Sequence, residues 1–210
     1  MSTRYRGLAG LPGLVLLTQV LACGSEDSIV PGPPPTDEEK GLFLVAADFE
    51  HLNFPEPSPS VEPDEGWTSR LFPDRTRWIE YKYKTFSKGD PNPAFVCTTI
   101  KIHPNERTSI VRFLTGPLAL RWGFDGPAFL GILDDNHIVS EPITCDYADA
   151  CSMSFLVKRD TKVGSMFGAR KGRFIYEVET LGWRFLDADE CHEFVRPKIE
   201  RLGDFEFEEK

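Results

Sequence analysis

The 210-residue chain carries 24 Lys and Arg against 33 Asp and Glu, a formal net charge of −9 with 40% hydrophobic residues. A surface this acidic repels nucleic acid and anionic headgroups, because neutralising phosphate takes a basic patch that the chain does not show. The length suits one domain with its own core.

Arg4 and Arg6 open the chain, residues 7–22 are uncharged, and Val20-Leu21-Ala22 leads into Cys23, which is the order of parts in an export signal. Gly10, Pro12 and Gly13 interrupt the apolar stretch, which also falls short of the roughly 20 residues a membrane span needs. The segment resembles the lipobox of bacterial lipoproteins. That resemblance covers residues 1–23 and implies cleavage just before Cys23, diacylation of its thiol and usually acylation of the new amino terminus. Gly24, standing where Asp would retain a protein at the inner membrane in many Gram-negative bacteria, implies by the same resemblance the outer membrane. One acyl chain gives only marginal attachment, so the two or three implied here are what hold such a protein on its membrane. Without residues 1–22 the chain keeps 22 basic and 33 acidic residues, a net charge of −11.

Residues 24–40, GSEDSIVPGPPPTDEEK, are acidic and proline-rich, with too little apolar surface to offset the entropy of ordering, and predict a disordered tether. Extended like polyproline at roughly 3.1 Å per residue, it would hold the domain up to about 50 Å from the bilayer. The single domain is expected over 41–210. Its first element, Gly41 to Asp48, reads as a short buried strand. Residues 49–76 carry Pro55, Pro57, Pro59, Pro63 and Pro73 and predict a long irregular loop.

From residue 77 the hydrophobic period is two. Ile79, Tyr81 and Tyr83 alternate with Glu80, Lys82 and Lys84, and Val96, Thr98, Ile100 and Ile102 alternate with Cys97, Thr99 and Lys101. Leu118, Leu120, Trp122 and Phe124 make another stripe. Met153, Phe155 and Val157 precede the polar turn Arg159-Asp160-Thr161, and strands follow through Val163 to Phe167 and, after Lys171-Gly172, through Phe174, Tyr176, Val178 and Thr180. With no long 3.6-residue period in view, the pattern predicts an all-β domain, an antiparallel sandwich or a small barrel. The tail, Asp204 to Glu209, alternates aromatic and acidic residues and reads as a last edge strand with Phe205 and Phe207 inward, or as an exposed peptide.

Once Cys23 is lipidated, four cysteines remain, and an even number in an exported chain predicts two disulfides. The five-residue spacer favours Cys145 with Cys151, which leaves Cys97 with Cys191. In the chain-entropy model the short loop contributes roughly 2.4 kcal/mol and the long one roughly 4.7.

Candidate chemistry is thin. His192-Glu193 begins a zinc-hydrolase motif that fails because Arg196 stands where the second ligand belongs. Asp187, Asp189, Glu190 and Glu193 crowd one stretch and are candidate ligands for calcium, though without the spacing of an EF-hand; a solvated acidic turn explains them as well. Asp134-Asp135-Asn136-His137 reads as a hairpin turn in which His137 beside carboxylates could act as a general base. His51 and His103 complete the histidines besides His192. No motif calls for a cofactor. The expectation is a lipid-anchored envelope protein whose β domain binds a protein or envelope component, against two alternatives: a lipocalin-like carrier enclosing an apolar ligand between the Trp122 and Tyr81 faces, and a hydrolase centred on His137.

Overall fold

The computed structural model describes residues 29–49, 62–85, 94–115 and 136–207. Eight strands form one antiparallel sheet: β1 (Val30–Pro31), β2 (Asp64–Leu71), β3 (Arg77–Lys84), β4 (Phe95–Ile102), β5 (Asn136–Glu141), β6 (Ala150–Lys158), β7 (Thr161–Lys171) and β8 (Phe174–Leu181). Their order is β1-β2-β3-β4-β8-β7-β6-β5. The sheet is open, with β1 and β5 at its edges, so the all-β expectation holds in its sandwich-like form and the closed barrel does not. An apolar ligand enclosed by a barrel goes with it.

Turn chemistry sets the register. The two-residue connection between β6 and β7 places Arg159 and Asp160 at φ 47° and 66°, the left-handed pair that matches the twist of a tight hairpin. Gly172 takes φ 55° between β7 and β8, where a side chain would be strained. Ladder registry then keeps alternate residues on one face across strands: Ile79 opposes Ile100, which opposes Tyr176, which opposes Ala169. These, with Tyr81, Val96, Val178, Phe167 and Phe155, line the main core.

The second layer over that core comes from a helix the hydrophobic pattern did not reveal and from an apolar run whose burial it revealed but whose backbone differs. Helix α3 (Ala188–Asp204) buries Cys191, Val195, Ile199 and Leu202 along one stripe. The stretch 42–49 is no strand: Leu42, Phe43 and Leu44 are buried in a turn, and Ala46–Phe49 form a 3-10 turn. It is fastened by the Thr98 hydroxyl donating to the Leu44 carbonyl at 2.6 Å and by the Ala46 N–H donating to the Tyr81 hydroxyl at 3.0 Å. Phe49 packs between Trp183 and Phe194, with ring centroids 5.8 and 5.9 Å away. A further helix, α2 (Glu106–Thr115), packs near the β7–β8 hairpin, where the Ser109 hydroxyl donates to the Gly172 carbonyl at 2.6 Å.

Several expectations are corrected. Residues 64–71, assigned to the proline-rich loop, are strand β2; the prolines at 55, 57 and 59 fall outside the described residues. The tether shortens: from residue 29 onward the chain is docked, by β1 on β2 and by α1 (Asp37–Lys40), which Thr36 and Glu39 close with a reciprocal capping box. Asp204 ends α3, and Phe207 is buried against Phe174 at 5.3 Å without joining the sheet. Asn136 and His137 begin β5 instead of a turn. The 118–124 stripe lies outside the described residues.

Cys97 and Cys191 are free thiols. They belong to opposite sides of the sheet, Cys191 in the main core and Cys97 against the smaller cluster behind it, and a disulfide needs side chains that point toward each other. Pairing by elimination assumed that every cysteine left over had to be oxidised.

Candidate functional site

The same alternation that fills the core gathers charge on the other face. Residues paired across β3, β4 and β8 form two cross-strand rows there, Glu80–Thr99–Glu177 and Lys82–Cys97–Glu179, with Trp78 beside Lys101 in the next row. Five charged side chains, Glu80, Lys82, Lys101, Glu177 and Glu179, thus share one strip because each strand is polar at alternate positions and the register holds parity. An apolar cluster of Phe95, Leu156, Met166 and Leu181 adjoins it.

Lys101 Nζ pairs with Glu177 Oε2 at 2.6 Å and sits 4.7 Å from the Trp78 ring centroid. Glu177 is only 6% exposed, and its other oxygen, Oε1, has no hydrogen-bond partner among the described residues. Burial first, then the neighbouring Glu177 charge, push the Glu179 carboxyl up to about 7, with Lys101 opposing. Burial also raises the Cys97 thiol well above its ordinary range, so Cys97 is no ready nucleophile. Glu80 and Glu179 are half-buried and Lys82 is exposed, so the strip opens to solvent.

The residues singled out from the sequence serve other ends. Cys145 and Cys151 are bonded, S–S 2.05 Å, and their loop is clasped to α3. The Tyr147 hydroxyl lies 3.1 Å from His192 Nδ1, and Arg196 holds Asp146 through two contacts of 2.7 and 3.2 Å while lying 4.7 Å over the Tyr147 ring. The failed zinc motif is therefore half of a structural clasp. Asp187 caps α3 by accepting the Glu190 N–H at 2.9 Å, and Glu190 accepts the Leu186 N–H at 2.5 Å. Backbone amides donate to these two acids, and Asp189 and Glu193 follow on the same helix. Among the described residues no group of three or more His, Cys, Asp or Glu is disposed to hold a metal.

His103 is buried, with Nδ1 3.1 Å from the Thr76 hydroxyl and Nε2 without a hydrogen-bond partner among the described residues. Burial lowers it to about 4, with the Asp74 charge opposing, and the Asp74 carboxylate accepts the Thr76 N–H at 2.9 Å. Cys23, His51, Asp134 and Asp135 lie outside the described residues, as does the His137 side chain. The strip itself was missed. Glu80, Lys82 and Lys101 were visible as the polar partners of their strands, but Glu177 and Glu179 join them only through the β4–β8 pairing, which sequence-local patterns do not encode.

No family model and no curated protein matches the chain. Among solved structures it is similar to the extracellular domain of PknH from Mycobacterium tuberculosis, with a TM-score of 0.45 and 10% identity over 82% of this chain and 98% of that one.

Proposed function

We propose that the chain is a lipid-anchored protein of the bacterial envelope, of the outer membrane by its sorting residue, whose β domain is a binding module and not a catalyst. The observation that carries the binding reading is the charged strip: a row of carboxylates and lysines on one sheet face, with a buried carboxylate oxygen of Glu177 that has no hydrogen-bond partner among the described residues. Buried polar atoms are ordinarily hydrogen-bonded, so an acceptor oxygen without a donor, on a carboxylate whose other oxygen is already paired with Lys101, fits a face completed by a partner. The Cys145–Cys151 bond supports an oxidising compartment. The leader supports the anchor.

The docked linker changes what the anchor implies. Only residues 24–28 stand between Cys23 and the first docked residue, and five residues reach at most about 17 Å. The domain is then held close to the bilayer with its β1–β2 edge nearest. In cells fed labelled palmitate, wild type should incorporate label and Cys23→Ser should not, accumulating as an unprocessed precursor. Equal incorporation into both would remove the anchor from this reading.

A further inference from the structure

We propose that the exposed stripe of α2, Ile110, Val111 and Leu114, lies with Val30 in the lipid surface to which the chain is anchored. This rests on the lipid-anchored reading and names the face of the domain that meets the membrane.

Helix α2 is built the reverse of an ordinary surface helix. Its buried positions are Phe113 and the small polar Ser109, whose hydroxyl donates to the Glu106 and Gly172 carbonyls. Arg107, Ile110, Val111 and Leu114 share the other face at the i, i+3, i+4, i+7 spacing of one helical stripe. The three aliphatics are 38, 46 and 58% exposed, where a helix packed on a core ordinarily turns such a stripe inward. They account, with Val30, for four of the six large apolar side chains exposed among the described residues.

Register puts all four at one end of the sheet. Val30 pairs with Leu71, Leu71 with Arg77 and Arg77 with Ile102, three strand spacings or about 14 Å, and α2 begins at Glu106 just beyond. Arg112 on α2 reaches Asp74 in the β2–β3 turn at 3.7 Å. Because β1 runs antiparallel to β2, the residues before Val30 leave the sheet past Leu71, off this same end. Residues 24–28 then span at most about 17 Å to Cys23, so an acylated Cys23 brings the bilayer to the end that carries the stripe.

The charges on α2 and its turn do not oppose that contact. Glu106 is paired with Arg170 and Asp74 with Arg112, while Arg75 and Arg107 are exposed and make no ion pair among the described residues. Ten residues are too few to cross a bilayer. The helix therefore lies along the interface, with its aliphatics among the acyl chains and its arginine at headgroup level.

The test takes the full chain from its native envelope, weighed for acylation by mass spectrometry, into vesicles of phosphatidylethanolamine and phosphatidylglycerol that carry a diazirine on the acyl chain. After irradiation the peptide holding Ile110 to Leu114 should bear lipid adducts, at least about tenfold more than the peptide holding Leu186. Leu186 is the control because it is 64% exposed but lies at the opposite end, where its carbonyl accepts from Lys162 near the β6–β7 turn. Val111→Asp with Leu114→Asp should cut the α2 adducts about tenfold and leave acylation and the urea melt unchanged. Equal labelling of the two peptides would overturn the proposal. So would an unlabelled α2 whose double variant is destabilised, which would mean that residues 116–135 cover the stripe, or cross-links between α2 helices that grow with protein density, which would mean that a second copy does. An acylated, vesicle-bound chain without α2 adducts overturns this inference alone; a chain that is not acylated and stays off the vesicles overturns the anchor and this inference with it.

Discussion

The Arg77 guanidinium grips the Glu39 carboxylate at two points, Nη1 to Oε1 at 2.5 Å and Nη2 to Oε2 at 3.0 Å, across 38 residues of chain. Both side chains are buried, and a third Arg77 contact reaches the Pro33 carbonyl at 3.1 Å. A segment with the composition of a free spacer is thereby bolted to strand β3. Removing one member of such a buried pair strands the other charge, so Glu39→Ala should lose about 3–5 kcal/mol in urea melts, and replacing both with apolar residues of similar size should cost less. Amides of Lys40, Gly41 and Leu42, which donate to Thr36, Asp37 and Glu39, should resist hydrogen exchange. Random-coil exchange there, with an unchanged melt for Glu39→Ala, would restore the full-length tether.

Two cysteines should behave as thiols and two as a bridge. Peptide mapping without reductant should recover Cys145 joined to Cys151, while Cys97 and Cys191 take up alkylating reagent slowly in the folded protein and fully in denaturant. Their slowness has separate causes: Cys191 is fully buried in the core, and desolvation holds the half-buried Cys97 in its unreactive protonated form. Loss of the bridge in the double variant Cys145→Ala, Cys151→Ala should cost roughly 2.4 kcal/mol. A mass showing Cys97 bonded to Cys191 would contradict the arrangement of the two faces.

His103 and Glu179 tilt stability against pH in opposite directions. His103, lowered from 6.5 to about 4, favours the fold while neutral; that contribution is complete above 6.5 and drains away as pH falls toward 4. Glu179, raised from 4.5 to about 7, favours the fold while protonated; its contribution is complete below 4.5 and is lost as pH rises through 7. A midpoint displaced by one pH unit corresponds to ~1.4 kcal/mol, an upper bound for the half-buried Glu179 because solvent screens it. His103→Gln should therefore make the protein lose stability more steadily from about pH 4.5 to 7, and Glu179→Gln should make it gain. Melts at stepped pH check the signs, and identical profiles for wild type and both variants would refute them.

Legibility followed the range of the interaction. Strands β3, β4, β6 and β8 were readable because Ile79-Tyr81-Tyr83, Val96 to Ile102, Met153 to Val157 and Phe174 to Thr180 alternate within a few residues, and the Arg159-Asp160 turn and the Cys145–Cys151 loop are equally local. Helix α3 was not, since its buried stripe amounts to Cys191, Val195, Ile199 and Leu202 among charged residues, with Pro197 inside. Strand β2 hid because Asp64-Glu65-Gly66 is polar and its pairing with Tyr81 to Lys84 supplies the order. Leu42-Phe43-Leu44 was seen as buried and mistaken for a strand, because a short apolar run does not state its backbone. The strip at Glu177 depends on two strands that are far apart in sequence, and its buried orphan oxygen is visible only in three dimensions.

Whether a lipid at Cys23 holds this domain on its membrane is the central question, and it is tested most directly by the mass of the amino-terminal peptide of protein isolated from its native envelope. The expected peptide begins at Cys23 and carries the added mass of two or three acyl groups. A peptide beginning at Met1, or an unmodified Cys23, would contradict the anchor.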